Sequence, residues 1–352
     1  MTKKQEILQN LDSSIEKIKN KEQRIVFMVP DTKGGGRASV AVIYRQALAL
    51  KNLGYDVAIL NEKKDSISAT SWLGSEFDVI PQFSVEENNL KIGAQDFLIV
   101  PEIFGNVFEQ VEKMPMEKVI FVQSYEYLLD AFSPGKSFLD YGVSECITTS
   151  STIANLINQT LSFNNINITP IGIPEFFIPT DKLQKPIVAI HCRDARKAAK
   201  IIKTFYLKYP IYRFISFKDM HGLTEKNFAE NLKESCLSVW VDDDASFGTF
   251  PVESIKCNVP VIGKIPNIIM EWMEDTNGIW VYDENQIVDL IAAFLKNWLE
   301  DSVPENLKNV SKTLEGRYET ADAAMYVEKV YGELFNKRVE KLEKIKEEVN
   351  RA

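Results

Sequence analysis

Apolar positions along the chain fall into two rhythms. Ile7, Leu8, Leu11, Ile15 and Ile18 recur at three-to-four spacing and predict an amphipathic helix over 5–20. From residue 24 onward, short apolar runs alternate with helical patterns. The first series is RIVFMV (24–29), DVAIL (56–60), FLIV (97–100), KVIFV (118–122) and CITT (146–149). The second is IVAI (187–190), YRFIS (212–216), LSVWV (237–241), VPVI (259–262) and GIWVY (278–282). Runs that are apolar throughout, separated by helices, predict parallel strands covered on both faces, built from βαβ units. Between the series, TPIGIPEFFIPTDKLQKP (169–186) carries Pro170, Pro174, Pro179 and Pro186 without a clean period and reads as an interdomain connection. The expected architecture is α/β, with two Rossmann-like domains at 23–172 and 187–325 joined by a linker at 173–186. A helix at 1–22 precedes them and a helix at 326–352 follows. In that last segment Val327, Val330, Tyr331, Leu334, Val339, Leu342, Ile345 and Val349 line one face, and its mixed charges read as a solvated outer face. A ligand of such a fold is expected in a cleft at the C-terminal strand ends.

Composition narrows the classes. The 352 residues suit two domains of ordinary size, and 45% hydrophobic with 26% charged content reads as globular. A net charge of −9 disfavours a duplex nucleic acid partner. No apolar run approaches the ~18 residues that cross a bilayer. The opening MTKKQEILQNLDSSIEKIKNK has neither the apolar centre nor the cleavage site of a secretory signal, so a cytoplasmic location is expected. Cys146, Cys192, Cys236 and Cys257 are far apart and form no C-x-x-C pair, which suits reduced, partly buried thiols. With His191 and His221 as the only histidines, zinc-ligand spacing is absent and a histidine-based dyad has few candidates.

Three loops carry candidate chemistry. After the first strand, Gly34, Gly35 and Gly36 precede a helix with Val40, Ile43, Tyr44, Ala47 and Leu48 on one face. Glycines permit close backbone approach, and a helix start offers N–H groups to an anion. Gly34 to Ser39 reads G-x-G-x-x-S, a near miss to a dinucleotide fingerprint, with Glu62 farther on than that fingerprint's ribose carboxylate. A tight turn without ligand is the simpler alternative. After the first strand of the second domain, HCRDARKAAKIIKTF puts Arg193 at the strand end and Lys197 in the first turn of a helix capped by Asp194, with Arg196 beside them. Cations there oppose the helix dipole unless something negative is bound, which points to a phosphate. The alternative is an exposed basic face, continued by Lys200, Lys203 and Lys208. The third loop lies in WVDDDASFGTFPVESIKCNVPVIG (240–263). Asp242, Asp243 and Asp244 fit an Asp-x-Asp metal pattern at a strand end. Beyond them Gly248 and Thr249 offer amides to a diphosphate. Glu253, expected in the first helical turn, either accepts hydrogen bonds from two ribose hydroxyls or only complements the dipole.

This third loop resembles the glutamate–seven–glutamate signature of retaining glycosyltransferases of family four, which have the GT-B fold. Their loop reads approximately E-G-F-G-x-x-P-x-E-A-x-x-x-G-x-P-V-I. Phe247, Gly248, Pro251, Glu253, Pro260, Val261 and Ile262 fall in register with it. The likeness extends over most of the chain. The triple glycine resembles the family's N-terminal loop, and CRDARKAAKIIKTF its G-R-…-K-G-…-L-I-x-A-F segment. TPIGIPEFFIP resembles its hinge, and Asn277-Gly278 its late N-G-x-L-V strand. Two positions depart from the pattern. Ala245 stands where the family's first glutamate contacts the donor sugar, with Asp244 or Asp243 as nearby substitutes. Gln123, Tyr125 and Glu126, in IFVQSYEYLLDAFSPG, stand where a histidine is usual. That run and SATSWLG (68–74) are similar to a rhamnosyltransferase-like subgroup, which hints at a deoxythymidine-diphosphate-rhamnose donor.

The resemblance implies a glycosyltransferase that moves a hexosyl or deoxyhexosyl unit from a nucleotide-sugar donor, with retention and without metal or other cofactor. It implies diphosphate contacts from Arg193 and Lys197, ribose contacts from Glu253, and further donor contacts from Gly34, Gly35, Gly36, Asp244, Phe247, Gly248 and Thr249. The first domain becomes the acceptor side, with Glu102, Gln123, Tyr125 and Glu126 as acceptor contacts, and the second the donor side. A cell-surface glycan or its lipid-linked precursor is the expected acceptor. A peripheral contact with the inner membrane face and a homo-oligomer stay open as partner states. Rival readings are a non-catalytic nucleotide-sugar-binding partner subunit, supported by Ala245, a nicotinamide-dependent oxidoreductase using the first glycine loop, and a sugar-nucleotide epimerase.

Overall fold

Among the described residues, twelve strands form two sheets. The computed structural model describes the chain apart from residues 1, 34–37, 65, 67–69, 88, 89, 131, 132, 162, 164, 181, 182, 245 and 352. The strands are β1 (Arg24–Val29), β2 (Asp56–Asn61), β3 (Gln82–Ser84), β4 (Phe97–Pro101), β5 (Glu117–Val122), β6 (Val143–Thr148), β7 (Ile166–Ile168), β8 (Lys185–His191), β9 (Ser216–Asp219), β10 (Ser235–Trp240), β11 (Val261–Lys264) and β12 (Gly278–Val281). The chain divides into two compact units. Unit 1 holds residues 1–172 and 321–352, and unit 2 holds 173–320.

Unit 1 carries a seven-stranded sheet in the order β3-β2-β1-β4-β5-β6-β7, with every neighbouring pair parallel. Val26 of the central β1 faces Ala58 of β2 on one side and Leu98 of β4 on the other. Ile25, Val26, Phe27, Met28 and Val29 are all buried, as a strand covered on both faces requires. β3 and β7 lie at the two edges and are three residues each, QFS and INI. The apolar runs did not announce them, because a short edge strand needs no continuous apolar stretch.

Unit 2 carries a five-stranded parallel sheet in the order β12-β11-β10-β8-β9. One expected strand is displaced. YRFIS (212–216) was expected to be extended, but Pro210–Tyr212 is a 3-10 turn and β9 starts at Ser216. Tyr212 of that run packs instead on the preceding helix, its ring stacked 6.0 Å from Phe205. β9 itself reads SFKD, half-exposed and polar, because it is an edge strand.

Each sheet reverses its winding at one place. In unit 1 the order turns between β1 and β4, and in unit 2 between β8 and β10. The loops leaving the C-terminal ends of those strands flank a topological switch point, where open α/β sheets take their ligands. Arg193 follows β8, Asp242–Asp244 follow β10, and Glu102 follows β4.

The last helix, Thr320–Arg351, packs within unit 1. Its stripe is Val327, Val330, Tyr331, Leu334, Phe335, Arg338 and Leu342. Phe335 meets Phe97 at 4.9 Å, and Tyr331 meets Phe27 at 6.1 Å. The mixed charges of this helix are therefore only partly a solvated face. Arg338 is buried and donates to Glu117 Oε2 at 2.7 Å, to the Ala94 carbonyl at 2.8 Å and to the Pro115 carbonyl at 2.6 Å. The first helix, Lys3–Lys19, begins at a capping box between Thr2 and Gln5. It buries only Ser14, Ile15 and Ile18, and ties to the last helix through Lys19–Glu343 and Asp12–Lys346 ion pairs. No described helix is long and apolar enough to cross a membrane. The four cysteines are buried free thiols.

Candidate functional site

In unit 2, β8 ends at His191, and Cys192, Arg193 and Asp194 turn the chain into the helix Ala195–Lys208. Asp194 takes extended backbone (φ −90°, ψ 102°) and accepts the Arg196 amide at 2.9 Å, so it caps the helix as its sequence position suggests. The Arg193 amide donates to Asp242 Oδ1 at 2.9 Å, and the Arg193 guanidinium donates to the Asp244 carbonyl at 2.7 Å and to Ser246 Oγ at 3.3 Å. Lys197, in the first turn of the helix, gives its ammonium to Asp243 Oδ2 at 2.5 Å and lies 3.3 Å from Glu284 Oε2. Arg193 and Lys197 thus converge on the loop that leaves β10, across the β8/β10 switch point.

The three aspartates each have a separate partner set. Asp242 is buried and accepts the Trp240 indole N–H at 3.0 Å as well as the Arg193 amide. Asp243 lies between Lys197 and Lys264 and pairs with both. Those two lysines hold its carboxyl below the usual carboxylate range, and Asp243 in turn holds the Lys197 ammonium above its ordinary value. Asp244 accepts Asn267 Nδ2 at 2.8 Å. Among the described residues no group of three or more histidine, cysteine, aspartate or glutamate side chains is placed to share a metal ion. Lys264 and Asn267, which the sequence did not single out, join this candidate site through Asp243 and Asp244. The signal for Lys264 was a single cation closing the apolar run VPVIGK.

The next helix, Thr249–Lys256, starts after Gly248, whose backbone is left-handed (φ 74°, ψ 61°). The expectation that Glu253 opens this helix is corrected: Thr249 is its first residue, Pro251 sits in the first turn, and Glu253 falls in the second. The first three positions have no intrahelical acceptor for their N–H groups, so proline is tolerated there and the helix begins earlier than the glutamate. Glu253 is buried, which removes the simple dipole reading, since that interaction belongs to the first turn. Phe247 is buried, and its carbonyl accepts the Trp272 indole N–H at 2.6 Å. The Gly248 and Thr249 amides lie at the start of this helix, and Ala245 lies outside the described residues. The two histidines meet near the same strand ends. His191 and His221 have ring centroids 4.4 Å apart, and His221 Nδ1 is 2.5 Å from Asp219 Oδ1. Burial first, and then its neighbour His221, hold His191 down to about 4, so it is neutral.

Unit 1 presents a second set. Gly34, Gly35 and Gly36 lie outside the described residues. Glu102 follows β4, is buried, and accepts the Ser124 amide at 2.8 Å. Burial pushes its carboxyl up to about 7 against the pull of backbone N–H groups. Gln123 follows β5 and donates to the Ser39 carbonyl at 2.9 Å, which ties it to the start of the helix Ala38–Asn52. Glu102 and Gln123 are therefore brought together through Ser124. Tyr125 uses its hydroxyl on Thr160 Oγ1 at 2.8 Å, on the helix Ser151–Leu161, and Glu126 is half-buried on the short helix Tyr125–Asp130. The hydroxyls of Ser124, Thr148 and Thr149 are buried at the ends of β5 and β6 without a partner among the described residues. Only their position after apolar runs could have signalled them.

No protein-family model and no curated protein sequence matches the chain. Solved structures match it in fold. Sucrose-phosphate synthase from Thermosynechococcus elongatus aligns with a TM-score of 0.64 at 13% identity, over 89% of this chain and 99% of that one. Anabaena HepE in complex with UDP and glucose aligns with a TM-score of 0.66 at 12% identity, over 88% of this chain and 99% of that one. The pneumococcal O-GlcNAc transferase GtfA in complex with UDP and GlcNAc aligns with a TM-score of 0.57 at 10% identity, over 94% of this chain and 99% of that one. The shared fold is GT-B, with two Rossmann-like domains.

Proposed function

We propose that this chain is a glycosyltransferase that takes its sugar from a nucleoside diphosphate donor. The observation that carries the reading is the convergence of Arg193 and Lys197 at the switch point of unit 2, beside the start of the helix Thr249–Lys256. Breaking the bond between an anomeric carbon and a diphosphate sends the electron pair to a phosphate oxygen, and that charge needs fixed cations and oriented N–H groups. Arg193, Lys197 and the amides around Gly248 and Thr249 are the groups of unit 2 suited to it. Glu253 takes the ribose hydroxyls.

The transfer is metal-independent in this reading, because each aspartate of the 242–244 run already serves a cation, an indole or an amide. Two of the solved proteins of like fold hold UDP together with a sugar, which makes a uridine diphosphate hexose the first donor to test, before deoxythymidine-diphosphate-rhamnose. Retention of configuration and a glycan or lipid-linked acceptor contacted by Glu102, Gln123, Tyr125 and Glu126 belong to the same proposal. A second reading, a nucleotide-sugar-binding partner subunit without transfer activity, is favoured by Ala245 in place of a glutamate.

Calorimetry against a panel of nucleotides and nucleotide sugars, with and without Mg²⁺ or Mn²⁺, tests this. A nucleoside diphosphate should bind equally well with and without metal. Arg193→Ala and Lys197→Ala should each weaken it roughly ten- to a hundredfold, the worth of one charge-assisted contact. Glu253→Ala should weaken nucleosides as well as diphosphates. Strict dependence on metal would give the site to the aspartates, and binding of nicotinamide dinucleotides alone would overturn the reading. Binding without sugar transfer to any acceptor would favour the partner subunit.

A further inference from the structure

Lys264 has no part in the donor site as the sequence outlines it, and Asp243 enters there only as a metal ligand or a stand-in for the missing glutamate, yet the two are paired beside Lys197. Lys264 closes β11, the strand beside β10, in a register where Trp240 faces Gly263. Asp243 leaves β10 a few residues past Trp240. One oxygen of its carboxylate, Oδ2, takes Lys197 Nζ at 2.5 Å, and the other, Oδ1, takes Lys264 Nζ. A single carboxylate therefore bridges two ammonium groups. The three side chains are 37%, 28% and 25% exposed for Asp243, Lys197 and Lys264, so a ligand at the strand ends can reach them.

The backbone around the carboxylate is pinned, while among the described residues the carboxylate is held by the two lysines. The Asp243 carbonyl accepts the Asn267 amide at 3.0 Å, and the Asp244 carbonyl accepts Arg193 at 2.7 Å. Rotation of the Asp243 side chain would free both ammonium groups without moving the loop. Lys197 would keep Glu284, at 3.3 Å, as a counter-charge. A phosphoryl group offers the same two-oxygen face as a carboxylate, with more charge. Two ammonium groups bridged by one carboxylate are thus already arranged for a phosphoryl group in its place.

We propose that Lys264 is a third diphosphate-binding cation beside Arg193 and Lys197, and that the Asp243 carboxylate is a built-in competitor that fills the diphosphate's place between Lys197 and Lys264 when no donor is bound. This rests on the donor site proposed above. The competitor lowers affinity for any diphosphate and so speeds release of the nucleoside diphosphate product. A purely structural Asp243 predicts the opposite sign, since removing it would leave two like charges unrestrained and loosen the site.

The experiment is calorimetry on the full chain with two probes, UDP and inorganic pyrophosphate. Asp243→Asn should tighten both by roughly tenfold, Lys264→Met should weaken both by roughly tenfold, and Lys264→Arg should stay within about threefold of the unsubstituted protein. Circular dichroism and thermal unfolding check each fold, with Asp243→Ser and Lys264→Gln as second removals. Weaker binding in Asp243→Asn, or unchanged binding in Lys264→Met, overturns the proposal. If UDP does not bind but the variants still shift pyrophosphate affinity in opposite directions, the nucleotide-sugar reading falls and the competitor stands. If neither probe binds any of these proteins, both fall.

Discussion

At Gly248 the backbone sits at φ 74°, and a Cβ there would stand 3.1 Å from Trp272 and 3.2 Å from Trp240. Both the left-handed conformation and the two indoles demand glycine. Gly248→Ala should cost about 1–3 kcal/mol, read as a lower urea midpoint, and should weaken UDP binding because the start of the neighbouring helix shifts. Glu102 gives a pH-dependent prediction. Its folded carboxyl titrates at about 7, above the ordinary 4.5. The folded state therefore binds the extra proton between those values, and stability falls as pH rises through that window. Urea unfolding between pH 4.5 and 8 should show a loss of roughly 3 kcal/mol, and Glu102→Gln should flatten it. A profile unchanged by that substitution would place the titration elsewhere. At this scale the placing of Arg193 and Lys197 at the end of β8 and the start of the next helix was legible in sequence. The partners of Asp243 were not, because Lys264 reaches it only through β-sheet neighbours.

Elements were legible where burial is two-sided. β1, β5 and β10 are almost wholly buried, and the apolar majority of each could be read directly, although β5 opens on the buried Glu117 and Lys118 and β10 holds Ser235 and Ser238. Edge strands are not bound by this rule: β3, β7 and the true position of β9 did not show, whereas the edge strand β12 still carries the readable run GIWV. The last helix is the clearest case of an element whose role depends on distant residues. Its apolar spacing was visible, but its burial of Arg338 against Glu117 was not. Both side chains are 5% exposed. Removing one member of a buried pair strands the other charge, so Arg338→Met should cost about 3–5 kcal/mol. A double-mutant cycle with Glu117→Gln should show the two effects to be strongly non-additive. Lys341, which also pairs with Glu117 on the same helix, makes Lys341→Ala the milder control. Additive losses in the cycle would mean that packing of the helix, not the pair, carries the energy.

At the scale of the molecule the two units differ in how the chain builds them. Unit 2 is one continuous stretch, 173–320, whereas unit 1 needs 321–352 returned to it after unit 2 is complete. A fragment spanning 173–320 should therefore unfold cooperatively by itself and bind UDP, whereas 1–172 alone should expose the apolar surface that Tyr331 and Phe335 cover. Supplying 321–352 in trans should raise its thermal midpoint, and a 1–172 fragment that is already fully cooperative would contradict this. The sequence by itself determined the alternation of buried parallel strands and helices, and the Asp194-capped helix with its two cations after β8. Each of these depends on local chemistry: two-sided burial, and a side-chain cap with charge at a helix end. Only the tertiary structure decided which lysines flank Asp243, that Glu253 is buried beyond the first turn, and that the charged last helix is partly a core element. Those outcomes depend on residues far apart in the chain, and sheet order and packing choose their neighbours.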